Sequence, residues 1–240
     1  MRINPPDAYW KKDVSLFFSK RLALLVKMLY PVAIIGPVAA SDIPARYAAA
    51  VVGIVAIMAG TFGAGESLTT DLNDGILARV ALTPLSPHRI VFEILAVNAV
   101  LDLVQLLPAL VFVYLLHPVP LVWVLAATFA VFATLVAANC IGVFIANFTS
   151  SPADVLLYAT AILFPLIYIS SFFRNPNPTG ALAVLRDLVP FAYANDALKT
   201  VFGLATETTP LEVFIYPTII CAVLVVLVCL TAPRLLSQRP

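Results

Sequence analysis

Six long apolar runs alternate with short polar stretches along the chain. Each run has close to the roughly 20 apolar residues that a helix needs to cross the hydrocarbon core of a bilayer. A spanning helix satisfies its own backbone groups, and these runs are too long for the alternating strands of a barrel. The pattern predicts an all-α polytopic membrane protein with six transmembrane helices at 22–40, 47–64, 90–116, 119–145, 153–173 and 211–232.

The third and fourth runs are joined by LLHPVP, in which Pro118 and Pro120 end one helix and permit the next. We therefore expect a helical hairpin here. Ahead of the first run, Trp10, Val14 and Phe17 recur at helical spacing among lysines, which predicts an amphipathic interfacial helix over 7–20. A plain cytoplasmic extension of the first span is the alternative.

The longest internal hydrophilic stretch, residues 65–90, follows the second span. Its apolar residues fall four apart on one side of a helix, at Leu68, Leu72, Ile76 and Val80. Thr69, Asp71, Asn73 and Asp74 make the other side polar, and Arg79 comes late, which suits the helix dipole. Pro84 ends the segment. The pattern predicts a short amphipathic helix, and a solvated loop is the alternative.

Lys and Arg near the span ends predict the orientation, because positive residues are retained in the cytoplasm. With the N-terminus inside, four lie outside, namely Arg46, Arg174, Arg186 and Lys199. The cytoplasmic set is larger and consists of Arg2, Lys11, Lys12, Lys20, Arg21, Arg79, Arg89, Arg234 and Arg239. Both termini are therefore expected in the cytoplasm, with the protein multi-pass in the cell membrane.

Composition agrees with a lipid environment and excludes several functions. The chain is 62% hydrophobic and 11% charged, whereas soluble domains carry about 25% charged residues. A net charge of +1 provides no large positive electrostatic field that could hold nucleic acid. The first residues lack a cleavage site of the signal-peptide kind. Three cysteines without CxxC spacing and two separated histidines predict no disulfide framework and no metal site. We expect no cofactor in this chain itself.

Three polar residues lie on one face of the third span, at Asn98, Asp102 and Gln105. Asp102 is about 18 Å of helix beyond the cytoplasmic end, close to mid-bilayer, where an ionisable group is costly. The three are candidates for a translocation path, although an Asp that holds helices together explains them as well. Lys27 is expected to reach the cytoplasmic headgroups rather than Asp102.

Small residues recur every four positions in the second and fourth spans, which lets helix backbones approach closely in lipid. They are Ala56, Gly60 and Ala64, and Thr134, Ala138, Gly142 and Ala146. Packing within one chain is preferred to packing across a dimer.

The segment 174–210, between the last two spans, predicts two short helices that enter the outer leaflet and return. Phe191, Tyr193 and Phe202 are expected to be interfacial anchors. An ordinary external loop is the alternative.

Two stretches carry a resemblance to a known family. An acidic residue, Gly-x-Leu and Leu-x-Pro-Leu-Ser lead into the third span, through Glu66, Asp74, Gly75, Leu77, Leu82, Thr83, Pro84, Leu85 and Ser86. Near the other end, the matching positions are Pro190, Tyr193, Asp196, Ala197, Leu198 and Lys199. Both stretches resemble the ATP-binding-cassette type-2 permease family, also called type V exporters, and the resemblance covers nearly the whole chain.

The resemblance implies one permease domain over 1–240. Its parts are an interfacial helix (1–21), spans one and two (22–64), a coupling helix (65–89), spans three to five (90–173), a re-entrant segment (174–210), and span six with its tail (211–240). A separate ATPase subunit, which carries ATP and magnesium, would accept the coupling helix in a groove. The coupling residues would be Glu66, Leu68, Leu72, Asp74, Gly75, Ile76, Leu77, Arg79, Val80 and Pro84.

A second permease chain, identical or different, would complete the exporter, and ATP-driven closure would move both chains as rigid bodies. The external gate would use Pro190, Phe191, Tyr193 and Asp196. The chain has no Gly-x-x-x-x-Gly-Lys-[Ser/Thr] for ATP and no Gly-x-Ser-x-Gly, so we expect no enzyme activity of its own.

Two other functions stay open. The stretch 71–75 resembles the haem-export permease of cytochrome c maturation through Asp-Leu-x-Asp-Gly. A channel or membrane anchor without ATP coupling is the other alternative. The substrate is not readable from the sequence, and a lipid-like cargo is suggested only by analogy of fold.

Overall fold

The computed structural model describes residues 10–19, 21–81, 86–173 and 179–237. All regular structure in these ranges is helical. The helices are α1 (Trp10–Ser19), α2 (Arg21–Ala40), α3 (Ala45–Asn73), α4 (Ile76–Ala81), α5 (Pro87–Leu116), α6 (Leu121–Ala146), α7 (Pro152–Ile169), α8 (Ala181–Asp187), α9 (Pro190–Val201) and α10 (Pro210–Ser237). Predictions that involve 1–9, Lys20, 82–85, 174–178 and 238–240, including the coupling residue Pro84, lie outside the described residues.

The helices long and apolar enough to cross a membrane are α3, α5, α6, α7 and α10, the last over Pro210–Pro233. A sixth candidate is the bent pair formed by α1 and Leu24–Ala40, which meet at 80°. The predicted polytopic, all-helical class with up to six spans is confirmed.

The predicted hairpin joins α5 and α6. The N–H of His117 donates to the carbonyl of Val113 at 2.9 Å and closes α5. Pro120 then precedes α6 with an extended backbone, at φ −52° and ψ 141°. Proline favours this geometry just before a helix, because its fixed φ and missing N–H cost nothing there. The hairpin therefore follows directly from its two prolines.

The second span differs from its predicted end. α3 continues to Asn73, so residues 65–73 are part of the long helix instead of a separate one. The polar residues after 64 mark the predicted end of the span, but none of them stops a helix. The stop comes at Gly75, whose φ of 65° is left-handed and suits a residue without a side chain. Only the short α4 follows the break.

α6 lies at the centre and contacts α3, α5, α7, α9 and α10. Its small residues meet those of α3 closely, as predicted for packing within one chain. A Cβ added to Gly60 would lie 2.8 Å from the Cβ of Ala138, and one added to Gly142 would lie 2.3 Å from the carbonyl oxygen of Thr61. The two backbones are therefore as close as glycine allows.

The bundle has two ends. The α1 end holds α1, the last turns of α3, α4 and the 147–151 link, which are joined by hydrogen bonds such as Asn73 Nδ2 to the Ser150 carbonyl at 3.1 Å. The α9 end holds α8, α9 and the 41–44 and 117–120 links. There the ring of His117 packs edge-on against Phe202, with centroids 4.7 Å apart.

Candidate functional site

The predicted coupling segment forms an elbow at the α1 end, made of the last turns of α3, the Asp74–Gly75 break and α4. Its apolar stripe faces inward. Leu68 and Leu77 are each 2% exposed, and Leu72, Ile76 and Val80 pack on the same core cluster with Ile94. The expectation that this stripe fills a partner's groove therefore needs correction, because the chain's own α5, α6 and α10 already cover it.

The outer surface of the elbow is polar. Glu66, Thr70, Asn73, Asp74 and Arg79 are exposed. These include three of the predicted coupling residues, Glu66, Asp74 and Arg79. What the elbow offers to another protein is a charged edge that carries both signs.

Two predicted surface positions are buried instead. Asp71 is 7% exposed and pairs with Lys12 of α1, with Nζ and Oδ2 2.5 Å apart. The hydroxyl of Thr69 lies 3.5 Å from that of Thr149, in the link that precedes α7. These contacts connect the elbow to α1 and to the α6–α7 link.

Asp13 of α1 lies beside this contact. Burial raises the pKa of its carboxyl, and the negative charge of Asp71 raises it further, while Lys12 opposes both effects. The Nζ of Lys12 is 3.5 Å from Asp13. Two carboxyl groups thus share one lysine.

The three polar residues of α5 come together as predicted. Asn98, Asp102 and Gln105 line one cavity of about 240 Å³ between α1, α2, α3 and α5. Lys27 is exposed at the edge of this cavity, and its Nζ lies 5.7 Å from the ring centroid of Phe17 on α1.

At the α9 end, the two predicted short helices are present as α8 and α9. α9 is not an exposed loop element, because every residue from Pro190 to Lys199 is buried. Phe191 is 1% exposed, Tyr193 9% and Phe202 7%, so these side chains pack inside the protein and the predicted lipid anchoring is wrong. α9 is a wedge held between α3, α6 and α10.

A buried ion pair joins α8 to α9. Arg186 of α8 donates to Asp196 of α9, and Asp196 also accepts from the hydroxyl of Thr208 at 3.0 Å. Tyr193 donates to the carbonyl of Asp187 at 3.1 Å. Burial and the negative charge of Asp187 raise the pKa of Tyr193 to about 12, so its hydroxyl keeps its proton at neutral pH.

A second set of contacts ties α9 to the end of α7. Asn195 Nδ2 donates to the carbonyl of Ser170 at 3.2 Å, and Lys199 Nζ donates to that of Ser171 at 3.3 Å. The carbonyl end of a helix attracts a cation. Ser171 has a φ of 61°, a strained value for serine, and this turn directs its carbonyl to Lys199. Burial lowers the pKa of Lys199, and Asp196 opposes that shift.

Sequence reasoning missed Arg186, Asn195 and the lysine–carbonyl contact. The available signal was opposite charge on both sides of Pro190: Arg186 before it and Asp196 after it. In an external segment such charges usually face water, so their burial followed only from the three-dimensional packing.

A comparison with known protein families covers the chain from α1 to α9. The sequence profile of a family described as ABC-2 type transporter matches residues 8–202, from α1 through the end of α9. A comparison with curated proteins finds no match. The matched range contains both the elbow and the α9 wedge.

Proposed function

The chain belongs to the ABC-2 type transporter family and is a permease subunit of an ABC transporter, and we propose that it works as an exporter driven by a separate ATPase subunit. The observation that carries this proposal is the elbow. It presents a charged edge at one end of the bundle and is continuous with a helix that spans the whole bundle.

The contact with the ATPase is assigned to the outer edge of the elbow. Asp74 lies just before α4 and Arg79 lies within it, both are exposed, and they carry opposite charges. Complementary charges on a partner would fix the orientation of docking and speed association. The inward-facing Leu68 and Leu77 hold the elbow to the bundle instead of touching the partner. Coupling therefore needs both sets of residues.

Force would travel along α3. Its 29 residues correspond to about 43 Å of helix, from the elbow to the α9 end. α3 packs on α5, α6, α7 and α9, so displacement of the elbow would act on the wedge through one rigid element. In this account α9, with Pro190, Phe191, Tyr193 and Asp196, gates the outer side.

In the same proposal, the α1 end and both termini lie in the cytoplasm, and the protein resides in the plasma membrane. Two permease chains work with two ATPase subunits, which hold ATP and magnesium. The broad apolar surface of α7 supports contact with lipid or a second chain. Leu157 is 67% exposed there, and Phe164 is 69% exposed.

The test is the ATPase activity that co-purifies with the tagged, full-length chain from its native membrane. Asp74→Lys reverses the charge of the elbow, and we expect at least a tenfold loss of associated ATP hydrolysis. Asp42→Lys makes the same charge change at an exposed position of the α9 end and should leave the activity unchanged. Equal activity in the two variants, or no ATPase with the wild-type chain, would refute the proposal.

A further inference from the structure

The polar cavity beside Asp102 continues into a larger apolar one. The second cavity has a volume of about 560 Å³ and lies between α2, α3 and α5. The two cavities share four lining residues, Lys27, Gly63, Asp102 and Gln105. Together they form one elongated space with a polar part and an apolar part.

The polar part holds buried groups that lack partners. Asp102 is 7% exposed, and its Oδ2 has no hydrogen-bond partner among the described residues; the same is true of Asn98 Nδ2. The side-chain amide of Asn139 lies beside the Asp102 carboxyl on the α6 side, and its Nδ2 and Oδ1 form no hydrogen bond of ordinary geometry with the described residues. A buried carboxyl oxygen without a partner is unfavourable, which points to a missing donor.

Space for that donor is provided by α3. Gly63 is the residue that faces the carboxyl, and a Cβ added there would still lie 3.6 Å from Asp102 Oδ1. Since no side chain of α3 fills this position, the carboxyl borders open volume instead of packed atoms.

The charges that line the space favour a cation. Asp13, Glu66 and Asp102 contribute carboxyl groups, and Lys27 contributes the only ammonium among the residues that line the two described cavities. Lys12 does not line the space, but it pairs with Asp71 and also lies 3.5 Å from Asp13. A ligand with a protonated amine would give Asp102 both a donor and an opposite charge.

The apolar part suits a hydrocarbon chain. Ile54, Val55, Met58 and Phe62 line it, and Met58 is 42% exposed, so the space opens to the side of the bundle between α2 and α3. A chain of about a dozen methylene groups could enter from the lipid and leave its head group at Asp102.

We propose that this space binds an amphiphile with a primary amine head group, with the amine at Asp102 and the hydrocarbon chain along Met58 and Phe62. The site stands on the cavity and on the unpaired oxygen of Asp102. Binding at this site does not require ATP coupling. The binding proposal can therefore be wrong while the proposed transport function is right, and the transport function can be wrong while the binding proposal is right.

Native mass spectrometry of the full-length chain in a nonionic detergent tests the site by titration with dodecylamine and with dodecanol. The two probes share a tail and differ in the head group. Wild-type protein should bind dodecylamine at least tenfold more tightly than dodecanol. Asp102→Asn, which keeps the shape of the side chain, should remove that preference, whereas Asp154→Asn, at the start of α7 and outside the cavity, should keep it.

A second variant covers the case in which Asp102→Asn does not fold. Ala59→Trp fills the apolar part without touching the carboxyl, and it should weaken binding of both probes by at least tenfold. Equal binding of dodecylamine and dodecanol by the wild-type chain would overturn the proposal. So would unchanged binding in a folded Asp102→Asn or in Ala59→Trp.

Discussion

Gly142 shows how one missing side chain sets the distance between two spans. Any Cβ at this position would lie 2.3 Å from the carbonyl oxygen of Thr61 and 3.0 Å from the amide nitrogen of Gly65. Both neighbours are backbone atoms of α3, which cannot turn aside as a side chain can. The close contact of α3 and α6 therefore depends on glycine here.

Gly142→Ala should lower stability, although alanine is normally the better helix former. Overpacking of this kind costs about 1–3 kcal/mol. Gly36→Ala on α2 is the matched control, since its Cβ would meet Phe112 at an ordinary 3.5 Å and could add up to about 1 kcal/mol of helix stability. The thermal midpoint in detergent measures both. A Gly142→Ala midpoint equal to that of the wild type would contradict the assigned contact.

The Arg186–Asp196 pair is a second residue-scale feature with a clear expectation. Asp196→Asn leaves the buried guanidinium without its main counter-charge, which costs roughly 3 kcal/mol. Arg186→Met combined with Asp196→Leu removes both charges and should recover most of the loss. The thermal midpoints of the two variants decide this. If the double variant is no more stable than Asp196→Asn, packing and not charge is what matters at this site.

At the scale of elements, the sequence was most reliable where a residue type forces the backbone. Pro118 and Pro120 placed the α5–α6 turn, and long apolar runs placed the spans. The end of α3 was harder to predict, because the change from apolar to polar residues after 64 reports the membrane boundary and not the end of the helix. Gly75, the true stop, lay inside the stretch that was predicted to be a separate helix.

α1 is held to α3 by a contact that should respond to pH. The folded-state pKa of Asp13 is raised above 3.8, so the unfolded or undocked carboxyl loses its proton first as the pH rises. In this pH range the docked state binds more protons than the undocked state. Docking therefore weakens as the pH rises from 3.8 through the raised pKa of Asp13. Lys12 and Asp71 are the charged groups that shift the pKa of Asp13, and Lys27 and Asp102 line the same cavity as its carboxyl.

Fluorescence of Trp10 on α1 reports this docking in a Trp123→Phe background, where it is the remaining tryptophan. Its emission should become more water-like as the pH rises through that window. Asp13→Asn should abolish the change. An identical pH profile in Asp13→Asn would show that Asp13 does not control the docking of α1.

At the scale of the whole molecule, the sequence predicted that the α8–α9 region forms two short helices. It did not predict that α9 is buried in the core. Phe191 and Tyr193 look like lipid anchors in a sequence, and Asp196 and Lys199 look like surface charges. All four are buried, and the two charged ones have partners, since Arg186 neutralises Asp196 and the carbonyl of Ser171 accepts from Lys199. Such compensation joins elements that are distant along the chain, so local patterns do not reveal it.

In the proposed function the two ends of the bundle have different roles, because the polar edge of the elbow is exposed at one end and the wedge is buried at the other. α3 is the element common to both. The family of the chain supplies the expectation of an ATP-hydrolysing partner, and the exposed Asp74 marks where that partner should bind.

Site-specific photocrosslinking in native membranes tests this assignment most directly. A benzophenone amino acid placed at position 74 should crosslink the full-length chain to a protein that hydrolyses ATP, and the same amino acid placed at position 42, at the α9 end, should not. An ATPase crosslinked from position 42 and not from position 74 would contradict the account.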